Sequence, residues 1–84
     1  MATWIKHTGE EVEVNPENGT DFSLEELQWF VCGFIEIINL DDKLMVVNEE
    51  GAFYFANSPN EKASLLAGQK IFGDVLVCKK NEIE

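Results

Sequence analysis

Few side chains in this chain of 84 residues could carry out covalent chemistry. The sole histidine is His7, beside a predicted Thr8-Gly9 turn, and the cysteines are Cys32 and Cys78. Catalysis by a serine or cysteine nucleophile needs a positioned base, and a structural zinc site needs four suitably spaced ligands. The sequence offers neither arrangement. We therefore predict a protein that is not an enzyme and has no metal or other cofactor, with both cysteines reduced in its core.

One carboxylate stands out because it interrupts an apolar strand. Glu36 lies between apolar residues, and burial there would raise its pKa and make it useful for acid–base chemistry. The alternative places it on an edge strand, facing water or a lysine, and we favour that interpretation. The acidic pairs of the chain lack the ligand spacing of a calcium loop and are interpreted as solvated turns.

A ligand site is predicted where short polar side chains precede a helix. The free N–H groups of a helix start attract anions, and lysines nearby would offset phosphate charge. An aromatic side chain beside them could stack on a base. An ordinary capped helix start is the alternative interpretation. The residues predicted to bind the ligand are Tyr54, Asn57, Ser58, Asn60, Lys62 and Lys70.

The aromatic residues suggest a contact between copies of the chain. They make up 11% of the residues, which is more than so small a domain can bury completely. Trp29 projects from the polar side of its predicted helix, and a strand at residues 53–55 must place aromatics on both of its faces. We therefore predict a homo-oligomer. Its predicted interface residues are Trp29, Phe53 and Phe55.

The net charge of −10, with no arginine among the six basic residues, argues against direct DNA or RNA binding. Solubility alone would explain such a surface, and a partial imitation of DNA is the sharper alternative. No apolar run is long enough to span a membrane, so we predict no membrane association and a cytoplasmic protein.

Periodicity predicts one α+β domain over residues 1–84: a small, mainly antiparallel β-sheet with two short α-helices covering one face. Ser23 and Glu26 form a capping box at the first helix, whose predicted core stripe is Leu24, Leu27, Phe30 and Val31. A meander follows, including a strand at residues 52–56. Asn60 caps a second helix with Ala63, Leu66 and Ala67 inward, a last strand covers residues 75–78, and residues 79–84 are predicted to fray.

The order of motifs resembles the domain of unknown function 3846 family, small proteins of bacteriophages and other mobile elements. The motifs that carry the resemblance are Leu24-Glu25-Glu26-Leu27-Gln28-Trp29-Phe30-Val31, Gly33-Phe34-Ile35-Glu36-Ile37-Ile38, Asn48-Glu49-Glu50-Gly51, Asn60-Glu61-Lys62-Ala63 and Gly73-Asp74-Val75-Leu76-Val77. The family implies a fold and a phage-type setting but no activity. In that setting we expect a counter-defence sponge that sequesters a small anionic, nucleotide-derived immune signal. The alternative is an acidic interaction protein, or partial DNA mimic, that inhibits a host protein.

Overall fold

A single antiparallel sheet organises the protein, whose computed structural model describes residues 2–83. The strands are β1 (Ala2–Ile5), β2 (Glu11–Val14), β3 (Ile35–Asn39), β4 (Lys43–Asn48) and β5 (Val75–Lys79). They lie in the order β2-β1-β5-β4-β3, with every neighbouring pair antiparallel. The helices are α1 (Leu24–Val31), α2 (Gly51–Tyr54) and α3 (Glu61–Ala67), with a 3-10 turn at Lys80–Glu82. This architecture confirms the predicted α+β class.

Strand β5 is the centre of the sheet and of the core. Val75, Leu76, Val77 and Cys78 are all buried, because side chains on both faces of this strand are covered. An uninterrupted apolar run is typical of a strand covered on both faces. No helix within residues 2–83 has the length and apolar character needed to cross a membrane.

Helices α1 and α3 cover opposite faces of the sheet, which corrects the predicted placement of both helices on one face. Leu27 of α1 packs in a core cluster with Val46, whereas Ala63 of α3 packs in a second cluster with Met45. Adjacent residues of a strand point to opposite faces, so Val46 and Met45 belong to different sides of β4. We call these sides the α1 face and the α3 face.

The predicted strand at residues 52–56 is wrong, because this segment forms the short helix α2 and a turn. The N–H groups of Tyr54 and Phe55 donate locally, to the carbonyls of Glu50 and Gly51. The aromatic sequence favours a strand. In the sheet, however, β4 already pairs with β3 on one side and β5 on the other, so no edge of β4 remains for a third partner.

The last residues described are held in place, so the predicted fraying of residues 79–84 is wrong as far as residue 83. Lys79 belongs to β5, and the Phe22 N–H donates to the Glu82 carbonyl at 2.6 Å. Phe22 and Ile83 form a parallel bridge, and Glu82 is buried. The chain end therefore packs against the segment that precedes α1, a long-range contact with no local sequence signal.

Three predicted core positions are exposed. Leu24, the first residue of α1, is 56% exposed, and Leu66 of α3 is equally exposed because Ala63 lies against the sheet instead. Cys32 ends α1 in the left-handed region, with φ 63°, and is also exposed. Cys78 is buried as predicted, and burial raises the pKa of its thiol to about 11. Both cysteines are free thiols.

Two carboxylates have lowered pKa values in the folded chain. The Ser23 and Glu17 N–H groups donate to Glu26, each at 2.9 Å, and lower its pKa, which also confirms the predicted capping box. Burial acts to raise the pKa of Glu82, but hydrogen bonds, including one from the Lys79 N–H, leave it lowered. A lowered folded-state pKa stabilises the fold above the unfolded value of about 4.3, and this stabilisation is lost as pH falls through the folded pKa.

We expect Glu26→Gln to reduce the loss of stability in acid. Glutamine keeps the reach of the capping box but cannot be protonated. Urea unfolding at about pH 7 and about pH 3 should show a smaller difference between the two conditions for the variant than for wild type. Glu25→Gln, an exposed acid in the same helical turn, is the matched control and should keep the wild-type difference. Equal pH dependence in wild type and Glu26→Gln would contradict the prediction.

Candidate functional site

The largest of five depressions compared on the described surface lies beside α3 and has a volume of about 710 Å³. Its surface is mainly apolar, and Leu65 in its wall is 84% exposed. Small-molecule sites typically measure roughly 300–1,000 Å³ and are largely apolar. We call it the α3 depression. Its lining residues are Pro59, Glu61, Ser64, Leu65, Gly68, Gln69, Lys70, Ile71 and Phe72.

Hydrogen bonds hold the two sides of the α3 depression together. The Asn60 N–H donates to the Ile71 carbonyl at 2.9 Å, and the Ile71 N–H donates to the Ser64 hydroxyl oxygen at 2.8 Å. That hydroxyl donates in turn to the Asn60 carbonyl at 2.7 Å. Pro59 and Phe72 complete the contact as an antiparallel bridge. The recess is therefore a built feature of the fold, with α3 and the returning chain cross-linked through one serine.

Lys70 gives the α3 depression its positive charge. It is exposed and forms no ion pair with any residue from 2 to 83. It also lines a smaller depression of about 140 Å³, which shares residues 69–72 with the first. Glu61 lines the first depression, whereas Glu36 and Glu49 line the second. The site is thus an apolar recess with one available ammonium group, and acidic residues line both of the depressions that Lys70 shares.

Asn60 has a structural role, which differs from the predicted contact with a ligand. It is 1% exposed, and its amide nitrogen donates to the carbonyls of Ile5 and Gly73, both at 2.9 Å. Its amide oxygen accepts from the Ala63 N–H, as predicted for the helix cap. Every atom of this amide that could bind a ligand is already occupied within the fold.

Lys62 lies at another part of the surface and is also engaged. Its ammonium donates to the Gly9 carbonyl at 2.8 Å and pairs with Glu11 at 2.7 Å. These contacts hold α3 against the β1–β2 hairpin. Lys62 lines a separate depression with Ile5 and Leu65, so the structure does not bring it beside Lys70 at one site.

The other predicted ligand residues are also dispersed. Tyr54 is 64% exposed and lines a depression of about 410 Å³ that Phe34 and Cys32 share. Ser58 is partly buried, and its backbone carbonyl accepts from the Gly73 N–H. Asn57 is exposed, with no side-chain hydrogen bond to residues 2–83. Of the six predicted residues, the structure therefore places only Lys70 in the α3 depression.

The aromatic residues predicted for an oligomer interface do not share one strand. Trp29 is 66% exposed, as predicted, and its ring packs against that of Trp4 with centroids 5.4 Å apart. Phe53 is 77% exposed on α2, where it contacts Tyr54. Phe55 is partly buried, and its ring would lie 2.9 Å from a Cβ at Gly73. Two of the three side chains remain available for a contact, at separate places.

The groups considered for catalysis lie apart from one another. His7 is exposed and its Nδ1 lies 2.9 Å from the Asp74 carboxylate, and no nucleophile among residues 2–83 bonds to the ring. Within that range no group of three histidine, cysteine or acidic side chains is placed to hold a metal ion. Glu36 is exposed on β3, an edge strand, which confirms the favoured interpretation.

Sequence reasoning missed the apolar residues of the site. Leu66 was predicted to lie inward and no role was predicted for Leu65 or Phe72, whereas Leu65 and Phe72 both line the α3 depression. A signal was available in the spacing of Ala63 and Ala67, which forms a narrow stripe of small residues four apart. Such a stripe allows the helix to lie close to the sheet and leaves the flanking leucines outside.

These features define a small α+β domain with one sheet, helices on both of its faces and an open apolar recess beside one helix. The chain belongs to the family described as Domain of unknown function (DUF3846), whose model matches residues 4–84. The resemblance drawn from the motifs is thereby confirmed. No curated protein and no solved structure matches the chain.

Proposed function

We propose that this protein is a non-enzymatic binding protein that sequesters a small anionic ligand with a flat apolar ring in the α3 depression. Nucleotide-derived signals have this chemistry, and the phage-type setting implied by the resemblance suggests a counter-defence sponge. The observation that supports the proposal is the combination of an apolar recess of about 710 Å³ with the ammonium of Lys70, which forms no ion pair within residues 2–83. Phe72 and Pro59 supply apolar surface for a ring, and stacking adds roughly 1–3 kcal/mol per base.

The distribution of acids gives less support to the alternative, a DNA mimic. Such a protein would present its carboxylates along one face. Here the side chains of Glu11 and Glu13 alternate with Val12 and lie on the α3 side of the sheet, while Glu25 belongs to α1 on the other side. Glu11 is also paired with Lys62. The charge is spread around the molecule, as expected for a solubilising surface.

Titration calorimetry with ADP-ribose and with a cyclic dinucleotide tests the proposal. Lys70→Glu should weaken binding about tenfold or more, because a charge-assisted hydrogen bond contributes roughly 1.5–3 kcal/mol and 1.4 kcal/mol is a factor of ten. Leu65→Ala should also weaken it. Both variants should melt close to wild type, since Leu65 is 84% exposed and Lys70 has no ion pair within residues 2–83.

Lys80→Glu is the matched control, because it makes the same charge change at an exposed lysine beyond β5. It should leave affinity within about twofold of wild type. Equal weakening by Lys70→Glu and Lys80→Glu would show that only net charge matters and would overturn the assignment of the site. Absence of binding by wild type at about millimolar probe would reject this class of ligand.

A further inference from the structure

Within residues 2–83, strand β3 has a partner strand, β4, on one side only, so one edge of the sheet is open there. The Phe34 carbonyl accepts from the Glu49 N–H at 2.8 Å, and the Leu40 N–H donates to the Lys43 carbonyl at 2.9 Å. Even-numbered residues along this ladder therefore direct their backbone groups toward β4, and the alternation of an antiparallel pair directs the others away from it. The residues whose N–H and C=O groups point outward are Ile35, Ile37 and Asn39.

The opposite edge, β2, is protected by charge. The Lys6 N–H donates to the Glu10 carbonyl at 2.8 Å, so the same alternation makes Glu11 and Glu13 the outward residues of β2. An added strand there would meet two carboxylates, a common protection of sheet edges. The open edge of β3 has no such protection at its outward positions, and Ile37 is 44% exposed.

We propose that β3 is a self-association edge, at which two copies of this chain pair antiparallel about a twofold axis at Ile37. A twofold contact requires a patch that is complementary to itself. With the axis at Ile37, that residue faces its own copy, and Ile35 faces Asn39 of the second copy. All three outward positions then exchange both of their backbone hydrogen bonds. The two sheets join into one continuous sheet.

The side chains favour this register over its neighbours. An axis at Glu36 would place that carboxylate directly opposite itself, and like charges facing each other across strands are destabilising. With an axis at Ile38, Ile35 would have no facing residue in the second strand, because that strand ends at Asn39. With the axis at Ile37, Glu36 faces Ile38 of the second copy and Ile37 is buried against its counterpart.

The charge of the chain gives this contact an identifiable salt dependence. Each copy has a net charge of −10, so the two copies repel one another at long range. A contact made of backbone hydrogen bonds and isoleucine side chains should therefore tighten as ionic strength rises from about 0.01 M to about 0.15 M, since the screening length falls from roughly 30 Å to 8 Å. A contact made by ion pairs would weaken over the same range.

Light scattering at high micromolar concentration tests the edge. Wild type should have twice the protomer mass of 9.5 kDa and should dissociate less at higher salt. Ile37→Pro removes an outward N–H that has no acceptor within residues 2–83, and it should give the protomer mass with an unchanged circular dichroism spectrum. Glu13→Pro removes an outward N–H at the other edge and should remain dimeric. A wild-type mass of 9.5 kDa would overturn the proposal.

Cysteine cross-linking tests the register without relying on a proline variant. In a Cys32→Ser background, Ile37→Cys should form a disulfide-linked dimer on mild oxidation. Facing residues of a hydrogen-bonded antiparallel pair lie about 5.5 Å apart at Cα, which is within disulfide range. Asn39→Cys faces position 35 of the second copy and should remain unlinked. Equal cross-linking at both positions, or none at position 37, would overturn the assigned axis.

Discussion

Replacing Asn60 by alanine should lower the free energy of unfolding by about 3 kcal/mol or more. The substitution removes both donors to the Ile5 and Gly73 carbonyls and the acceptor for the Ala63 N–H, at a position that is 1% exposed. Each buried polar group left without a partner costs roughly 1–3 kcal/mol. A domain of this size is stabilised by only about 5–15 kcal/mol in total, so the loss is a large share.

Urea unfolding followed by tryptophan fluorescence measures this effect, and the melting temperature should fall by at least about 12 °C. Asn60→Asp retains the oxygen that caps α3, but its second carboxylate oxygen would face the Ile5 and Gly73 carbonyls, which are also acceptors. It should therefore be at least as destabilising as Asn60→Ala. Asn57→Ala, at an exposed amide, is the control and should change stability by no more than about 0.5 kcal/mol. A wild-type melting temperature for Asn60→Ala would contradict the structural role of this residue.

Phe22→Ala should cost about 3–5 kcal/mol, the usual range for removing a buried aromatic side chain. Phe22 is 0% exposed, and its ring meets that of Phe30 edge-on with centroids 5.9 Å apart. Its backbone also forms the bridge to Ile83 and accounts for the docking of the last residues described. The cavity should therefore loosen the end of the chain as well as the α1 face.

Denaturant unfolding together with amide hydrogen exchange of residues 79–83 distinguishes these two consequences. Phe53→Ala is the matched control, because it removes the same side chain at a position that is 77% exposed. It should leave both stability and exchange close to wild type. Rapid amide exchange of residues 79–83 in wild type would contradict the packing of the chain end against Phe22. It would favour the frayed end that the sequence predicted.

The candidate site was only partly predictable, for reasons that individual residues illustrate. Lys70 was expected near an anion and does line the α3 depression, whereas Lys62 forms an ion pair with Glu11 in the β1–β2 hairpin. Both are exposed lysines near α3, and nothing in their local sequence distinguishes them. The difference arises from which distant carboxylate the fold brings within reach. A charged side chain is available to a ligand only when no such partner has been placed beside it.

Local interactions explain what the sequence determined by itself. The capping box of Ser23 and Glu26 and the Asn60 cap were both predicted and are both present, because each depends on residues within one helical turn. The continuous apolar run of residues 75–78 likewise predicted a strand, and it became the central one. The α+β class followed from these elements.

Tertiary structure decided the features that depend on long-range pairing. Residues 52–56 have the composition of a strand and form a helix and turn, because β5 occupies the place beside β4. Which of two distant segments pairs with a given strand cannot be read from the local sequence of either segment. Long-range packing likewise decided the opposite placement of α1 and α3 and the hydrogen bonds of Asn60 to the carbonyls of Ile5 and Gly73. Local sequence specified the helices and strands, and the packing of distant segments against one another specified the site.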